Sequence, residues 1–178
     1  AQHQRRDGYR TWFAPGTAPK TGVALMISNR LASAAVKVTY CDPTGHTLIA
    51  TVDILDRLHL VLVISHANPK SDALRAAYFT ELLKHIPKPD PKGPERLGMW
   101  MGDFNFEEHI NDTTTHIDAS KQTARRAMLK AYADVCTALG SPDVGGLEDA
   151  YKITHPNAPH AGTSKAHSAI DRILVDPR

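Results

Sequence analysis

The sequence contains few of the features that mark membrane proteins, disulfide-rich proteins or strongly charged binders. Its longest apolar runs end well before the roughly 18 residues that a membrane-spanning helix needs, which excludes a transmembrane protein. Its two cysteines, Cys41 and Cys136, lie far apart and show neither a C-x-x-C pair nor zinc-finger spacing. This scarcity argues against a disulfide framework and favours a reducing, intracellular compartment. The net charge is only +2, which by itself indicates no particular partner.

What the chain does contain is the composition of an ordinary globular domain. Of its 178 residues, 42% are hydrophobic and 22% are charged. The chain is therefore long enough to bury a core without disulfide or metal cross-links, and we predict one domain over residues 1–178. It begins with Ala1, and its first residues are polar and lack the apolar segment of a secretory signal. We expect it to be part of a longer protein.

The hydrophobic pattern predicts several strands and two helices. Strands are expected at Gly22–Asn29, Val36–Tyr40, Thr47–Leu55, Leu58–His66, Leu97–Met101 and Ile170–Val175. The first is almost wholly apolar, which predicts a strand inside a sheet with both faces buried. The next three are separated by turn residues, as expected for antiparallel strands joined by hairpins. Together with the helices they indicate a mixed α/β fold built in layers.

The two helices are marked by four-residue spacing and by capping residues. The first is predicted at Ser71–Ile86 with Ser71 as its N-cap, and the second at Ser120–Leu139 with Gly140 as its C-cap. The apolar faces would contain Leu74, Tyr78, Leu82 and Ile86 in the first, and Ala124, Met128, Ala131, Val135 and Leu139 in the second. The proline-rich segment between the helices, residues 87–96, is expected to be a surface connection.

The segment from Met101 to Asn105, MGDFN, places two polar side chains at the end of an apolar strand. In extended geometry, Asp103 and Asn105 would project into one cleft while Phe104 packs against the core. A carboxylate beside an amide suits phosphodiester hydrolysis. The carboxylate orients a water or holds a hard cation, and the amide stabilises the oxygen that gains charge. The alternative is that both residues merely cap the turn that ends the strand.

Three further positions are candidates for the same site. His66 ends an apolar strand and is able to protonate a leaving group or bind a phosphate; the alternative is a surface histidine at the start of a loop. Asp171 interrupts an apolar strand and needs a partner if it is buried; the alternative is a pair with Arg172 or a solvent-facing position. Thr163 lies in a polar loop and offers a hydroxyl and an N–H to a phosphate, or has no special role.

Taken in order, these motifs resemble the endonuclease/exonuclease/phosphatase superfamily, which includes the apurinic endonucleases and DNase I. The run from MGDFNFEEHINDTTTHID through LEDAYKITHPNAPH to SAIDRILV is similar to the endonuclease domains of non-LTR retrotransposons in particular. The resemblance covers nearly the whole chain. It implies a four-layered α/β sandwich and cleavage of phosphodiesters with Mg²⁺ or Mn²⁺, with DNA as the substrate that is nicked. It also implies a longer polyprotein with a reverse transcriptase and, for a retrotransposon-derived protein, a nuclear location.

The resemblance implies roles for four of the candidate residues. Asp103 would orient the attacking water and bind the metal together with Asn105. Asn105 would also stabilise the transition state. His66 would contact the scissile phosphate, and Asp171 would orient a catalytic histidine, as the carboxylate of a hydrolase triad does.

Other matches are looser. Ser168 matches the serine of the family's S-R-I-D motif, and Thr163 falls near a threonine that contacts the substrate phosphate. Asp112 falls where many relatives carry an acidic residue. Ala169 replaces the arginine of S-R-I-D, which removes a cation near the phosphate.

The chain departs from the superfamily at both ends. An Asn-bearing strand and a strand ending in the glutamate that is the main metal ligand are expected before Ala1, and a Ser-Asp-His motif is expected after Arg178. We therefore expect a sandwich that is incomplete at both ends and an isolated chain that is inactive. The alternatives are a non-catalytic remnant or nucleic-acid-binding interaction module, and a phosphatase or phospholipid phosphoesterase of the same fold.

Overall fold

The computed structural model describes residues 2–6, 8–18, 21–31, 34–54, 58–106, 119–141, 145–157 and 171–178. These residues contain the strands β1 (Gln2–Arg6), β2 (Tyr9–Pro15), β3 (Gly22–Ser28), β4 (Ala35–Cys41), β5 (Thr47–Ile54), β6 (Leu58–His66), β7 (Glu95–Asp103), β8 (Glu148–Asp149) and β9 (Asp171–Val175). The helices are α1 (Asp72–His85), α2 (Ala119–Leu139) and α3 (Ala150–Thr154), with a 3₁₀ turn at Asn29–Leu31. None of these helices is long and apolar enough to cross a membrane.

The strands form two sheets. The first is an antiparallel sheet in the order β1-β2-β3, and the second is a mixed sheet in the order β4-β5-β6-β7-β9-β8. In the second sheet β4, β5 and β6 are consecutive antiparallel strands, which confirms the sequence prediction. β6 and β7 are parallel, and α1 makes the crossover that such a pair requires. β9 pairs with β7, so the last strand of the chain lies beside the strand that ends in the MGDFN segment.

The mixed sheet is covered on both faces. On one face α1 and α2 pack on it, in a core that includes Ile49, Val63, Phe79, Trp100, Met128 and Val135. On the other face β2 and β3 cover β5 and β6, in a core that includes Ala14, Leu25, Ile27, Leu48, Leu62 and Ile64. Each fully buried aliphatic side chain stabilises the fold by about 1.5–3 kcal/mol. The described residues thus form three layers, and the predicted mixed α/β layered fold is confirmed.

The three-stranded sheet differs from expectation. β3 is an edge strand of this sheet, so the prediction that Gly22–Asn29 lies inside a sheet with both faces buried is wrong. Leu25 and Ile27 point into the core, whereas Met26 between them is 55% exposed. β1 and β2 were not predicted, because QHQRR is polar throughout and YRTWFAP shows no regular alternation of apolar and polar residues.

The helices α1 and α2 lie where they were predicted, but one residue predicted on the buried face of α1 is exposed. The Oγ of Ser71 accepts the N–H of Leu74 at 3.2 Å and caps α1, and the N–H of Gly140 closes α2 on the carbonyl of Cys136. Leu74 is 47% exposed, so its predicted place on the buried face is wrong. Arg75 is buried instead, because it finds polar partners in the interior.

A buried carboxylate ties down the end of the chain. Asp176 is 7% exposed and accepts the N–H of Ser141 and the Nε–H of Arg178, both at 3.0 Å. Burial by itself would raise the pKa of Asp176, but these hydrogen bonds and the charge of Arg178 outweigh it and lower the pKa. The folded state therefore favours the ionised carboxylate.

Candidate active site

Three of the residues singled out in the sequence lie side by side across three strands. His66 at the end of β6 is the register partner of Asp103 at the end of β7, and Asp103 is the partner of Asp171 at the start of β9. Neighbouring strands are about 4.8 Å apart, and register partners project from the same face of a sheet. We call His66, Asp103 and Asp171 the polar row. It lies on the face that β3 covers. The reason is that every second residue of a strand shares a face, and His66 follows Leu62 and Ile64 of that core in this two-residue step.

Asp103 and Asn105 meet through a turn. β7 ends at Asp103, and Asn105 has a left-handed backbone with φ of 53°. Its N–H donates to Oδ1 of Asp103 at 2.9 Å, and its Nδ2 donates to the carbonyl of Ala67 at 2.8 Å. The extended geometry assumed from the sequence is therefore wrong for Asn105, although the two residues are brought together. The capping contact considered as the alternative is also present.

The carboxyl group of Asp103 has a raised pKa. Partial burial is the largest cause, and the negative charge of Asp171 adds to it. The N–H of Asn105 and the imidazole of His66 act in the opposite direction and lower the pKa in part. A partly buried carboxylate beside a second one is stabilised by any cation that neutralises both. The row therefore has the electrostatics of a cation-binding site.

Aromatic packing anchors the turn, as predicted for Phe104. The ring of Phe104 is fully buried and lies edge-to-face on Trp100, with 4.7 Å between the centroids. Phe106 is 3% exposed and packs edge-on against Tyr132 at 5.1 Å. Because these two rings flank Asn105 in the chain, they fix the backbone that carries it.

Arg172 ties β9 to the same turn. Its side chain is 7% exposed, and its Nη2 donates to the carbonyl of Phe106 at 2.8 Å. Its guanidinium lies over the rings of Phe106 and Phe104, 4.9 and 5.8 Å from their centroids. Asp171 precedes Arg172 and is exposed, so the two side chains leave opposite faces of β9. Arg172 thereby couples the position of Asp171 to that of the Asn105 turn.

A second buried arginine holds the loop that follows β6. Arg75 is 7% exposed, donates to the carbonyl of Asn68 at 2.8 Å and pairs with Asp72 at 2.6 Å. Arg125 of α2 lies 3.9 Å from the same carboxylate and 5.9 Å from the centroid of Phe106. These contacts connect both helices to the two loops of the site.

A buried polar network lies on the helix side of the sheet, beneath the polar row. The hydroxyl of Tyr78 is hydrogen-bonded to the hydroxyls of Thr47 and, at 2.9 Å, of Ser65. The indole N–H of Trp100 also donates to Ser65 at 2.9 Å. Burial raises the pKa of Tyr78 to about 12, although the bonds to Ser65 and Thr47 oppose the shift. Tyr78 therefore stays neutral and cross-links α1 to β5 and β6.

Gly102 sets the position of Asp103 on β7. It has a φ of 145°, and a Cβ there would lie 1.8 Å from the carbonyl oxygen of Ser65. Only glycine allows β6 and β7 to approach this closely. The glycine before Asp103 thus helps to bring this carboxylate into register with His66.

Four of the residues singled out in the sequence lie in segments that the structure does not describe. Thr163, Ser168, Asp112 and Ala169 lie outside the described residues.

The residues of the site that sequence reasoning missed are the buried arginines and His46, whose ring centroid lies 5.6 Å from that of His66. A buried arginine has no sequence signal, since arginine reads as a surface residue in any hydrophobic pattern. His46 could have been found from its place in the turn before β5.

The fit of the site to a metal can be judged from its donors. Within the described ranges, no group of three or more His, Cys, Asp or Glu side chains is arranged to hold a metal ion. The polar row nevertheless supplies two carboxylates, and Asn105 supplies an amide beside them. Mg²⁺ and Mn²⁺ prefer oxygen ligands, and Mg²⁺ often binds through one or two carboxylates and keeps several waters. The residues present therefore fit a partly hydrated divalent cation.

Comparison with known proteins shows a likeness in structure. No family model matches the chain, and no curated protein matches its sequence. The AP endonuclease LMAP of Leishmania major matches over 96% of this chain and 62% of its own, with 14% identity and a TM-score of 0.60. The catalytic domain of Xenopus laevis APE2 matches over 97% of this chain and 67% of its own, with 14% identity and a TM-score of 0.60. The chain has the DNase I-like fold.

The DNase I-like fold predicted from the sequence is confirmed, and the described residues form three of the four layers that the resemblance implies. The endonuclease domain of the telomere-specific non-LTR retrotransposon TRAS1 has it too, and matches over 94% of this chain and 64% of its own, with 14% identity and a TM-score of 0.55. The chain thus spans 62% of the length of the Leishmania enzyme and 64% of the TRAS1 domain. At this level of identity the likeness establishes the fold alone.

Proposed function

We propose that this chain is the central part of a divalent-metal-dependent phosphodiesterase that nicks DNA, of the non-LTR retrotransposon type. The observation that carries the proposal is the polar row, an imidazole and two carboxylates in register at one end of the mixed sheet, with the amide of Asn105 beside them. The AP endonuclease and the retrotransposon endonuclease that share the fold support DNA as the substrate. We also propose that the chain belongs to a longer polyprotein that includes a reverse transcriptase.

The residues of the site have distinct tasks in this proposal. Asp103, on the rigid end of β7, orients the attacking water and accepts its proton. His66 binds a non-bridging oxygen of the phosphate. One side-chain N–H of Asn105 donates to the carbonyl of Ala67, which fixes the orientation of the amide. The amide is thereby placed to stabilise the charge that develops on the phosphate. Asp171 is exposed at the start of β9, where it is placed to orient a histidine from outside this chain.

The metal of the proposal is Mg²⁺ or Mn²⁺, held by Asp103 and Asn105. When bound, such an ion supplies Lewis-acid stabilisation of charge on the phosphate. The protein's own contribution is to hold the oxygen donors together on one face. The turn from Asp103 to Asn105 does this through its internal hydrogen bond and through the burial of Phe104.

We further propose that the 178-residue chain by itself cleaves DNA very slowly. The part of the chain that the structure describes offers no cluster of three metal-binding side chains, and the sequence contains no Ser-Asp-His motif. The removal of one member of a catalytic unit commonly lowers the rate by several orders of magnitude. Efficient cleavage would therefore need residues that other parts of the protein supply.

Plasmid nicking tests the proposal. The longer protein and the 178-residue chain are each incubated with supercoiled plasmid and Mg²⁺, and the formation of open circles is measured. We expect the longer protein to nick, and Asp103→Asn and Asn105→Ala to lower its rate by at least about 100-fold. Asp134→Asn is the control, because Asp134 pairs with Lys130 on the surface of α2 and should not affect the rate.

The outcomes separate the candidate functions. Nicking by the longer protein that survives Asp103→Asn would refute the assigned site. Rapid nicking by the isolated chain, abolished by Asp103→Asn, would refute its proposed inactivity. DNA binding by the longer protein without nicking would favour a non-catalytic binding module. Hydrolysis of small phosphate esters in place of DNA would favour a phosphatase or phospholipid phosphoesterase.

A further inference from the structure

We propose that His46 makes a second imidazole contact with the DNA backbone, at another phosphate of the strand that is bound at the polar row. This inference rests on the proposed function and extends the site by one strand. His46 ends the turn between β4 and β5, and its carbonyl accepts the N–H of His66 at 2.9 Å. The two imidazole rings lie next to each other, with 5.6 Å between their centroids. A line of polar side chains thus runs from His46 through His66 to the two carboxylates.

The backbone of His46 is held firmly. Its N–H donates to Oδ2 of Asp42 at 2.8 Å, and its carbonyl also accepts the hydroxyl of Tyr78 at 3.2 Å. The preceding residue, Gly45, has a φ of +81°, and a Cβ there would lie 2.5 Å from the backbone of the β2–β3 turn. The two turns are therefore packed against each other, and His46 is presented by a rigid support.

The ring of His46 is oriented by one of its two nitrogens. Nδ1 lies 2.8 Å from the carbonyl oxygen of His66. Because a carbonyl only accepts hydrogen bonds, Nδ1 carries a hydrogen and Nε2 is the nitrogen that gains or loses a proton. Within the described ranges, Nε2 has no hydrogen-bonding partner. On protonation it becomes an N–H donor, which is what a phosphate oxygen requires.

The groups that face this ring come from its own turn, from β6 and from α1. Asp42 from its own turn attracts a positive charge, whereas His66 from β6 would repel one if it were also charged. Tyr78 from α1 is neutral, since its pKa is about 12. A phosphate bound at His66 removes the repulsion between the two imidazoles. Two phosphates of one DNA strand would therefore be bound together.

The strand spacing fits two phosphates of one DNA strand. β5 and β7 are two strand spacings apart, or about 10 Å. This distance matches the axial rise of about three nucleotides in one DNA strand. His46 lies on the far side of His66 from Asp103 in this line of polar side chains, so its contribution is to the affinity and register of the DNA.

DNA binding by the 178-residue chain tests the inference without any need for catalysis. Fluorescence anisotropy with a short labelled duplex, without added metal, is measured at pH 6 and pH 8 over a range of salt concentrations. At pH 6 we expect His46→Gln to weaken binding about tenfold and to lower the salt dependence by about one phosphate contact, with a smaller effect at pH 8. His46→Arg should lose less affinity between pH 6 and pH 8 than the wild-type chain does. His59→Gln is the control, because His59 pairs with Asp53 at the opposite end of β6.

Circular dichroism melting establishes that each variant is folded. If His46→Gln does not fold, ¹⁵N NMR of the unaltered chain replaces it, and the Nε2 signal of His46 should move to the imidazolium position when duplex is added. The inference is overturned if that signal does not move, or if His46→Gln binds like the wild-type chain while His66→Gln binds more weakly; the proposed function then stands. Failure of the wild-type chain to bind duplex at low salt would overturn both.

Discussion

Replacement of Arg172 by methionine removes the link between β9 and the Asn105 turn. In the folded chain the Arg172 guanidinium is bonded to the carbonyl of Phe106 and lies over two aromatic rings that flank Asn105. Methionine has a similar length and no charge. The substitution therefore removes the polar contacts, leaves most of the volume filled and creates no unpaired buried charge.

The expected change in unfolding free energy follows from three contributions. A hydrogen bond from a charged group contributes about 1.5–3 kcal/mol, and the two cation–π contacts together contribute about 0.5–2 kcal/mol. Burial of the apolar methionine side chain stabilises the folded variant by about 1 kcal/mol. We therefore expect Arg172→Met to destabilise the chain by between about 1 and 4 kcal/mol, which is a drop of roughly 5–10 °C in Tm near the middle of that range.

Urea unfolding followed by tryptophan fluorescence measures this change, because Trp100 is buried in the same aromatic cluster. Arg126→Met is the matched control, since Arg126 is exposed on α2, and it should stay within about 0.5 kcal/mol of the wild-type chain. Hydrogen exchange of the Asn105 N–H should become faster in Arg172→Met. A variant as stable as the control, with unchanged exchange at Asn105, would refute the coupling between β9 and the turn.

Three other substitutions probe the frame of the site. Gly102→Ala should destabilise the chain by about 3 kcal/mol or more in guanidinium unfolding, because the new Cβ meets a backbone carbonyl of β6. Gly8→Ala is the control. Gly8 also has a positive φ but has open space around it, so this substitution should destabilise the chain by only about 1 kcal/mol. Tyr78→Phe should cost about 1–3 kcal/mol by leaving buried hydroxyl partners unsatisfied, and ultraviolet titration should show that Tyr78 does not ionise until about pH 12. The pKa of Asp176 is lowered in the folded chain. The stabilisation of the fold by this carboxylate is therefore complete above its unfolded pKa of about 3.9 and is lost as the pH falls through the lower folded pKa. Asp176→Asn should lack this acid-dependent loss of stability.

The elements that position the polar row were predictable because they follow simple periodic patterns. β5 and β6 are apolar on both faces and lie within one residue of their predicted limits. The strand leading into the MGDFN segment was recognised by its apolar run, and Phe104 packs inward as strand alternation requires. Local pattern therefore identified Asp103 and His66 as strand ends.

The remaining features depend on contacts between distant parts of the chain. The bond from Arg172 to Phe106 joins residues 66 positions apart, and no local pattern distinguishes an arginine that will be buried by such a contact. The left-handed backbone of Asn105 depends on the carbonyl of Ala67 in another loop. His46 lies beside His66 only because of the register of β5 and β6. Register is set by the folded sheet, and so these contacts could not be read from the sequence.

Binding of a divalent cation at the polar row can be measured directly by NMR of the 178-residue chain with Mn²⁺ added at less than one equivalent. The prediction is that the amide signals of His66, Asp103, Asn105 and Asp171 broaden first, that excess Mg²⁺ restores them, and that Asp103→Asn removes the effect. Broadening confined to acidic residues elsewhere, with the signals of the polar row unchanged, would contradict the assignment of this row as the metal and phosphate site.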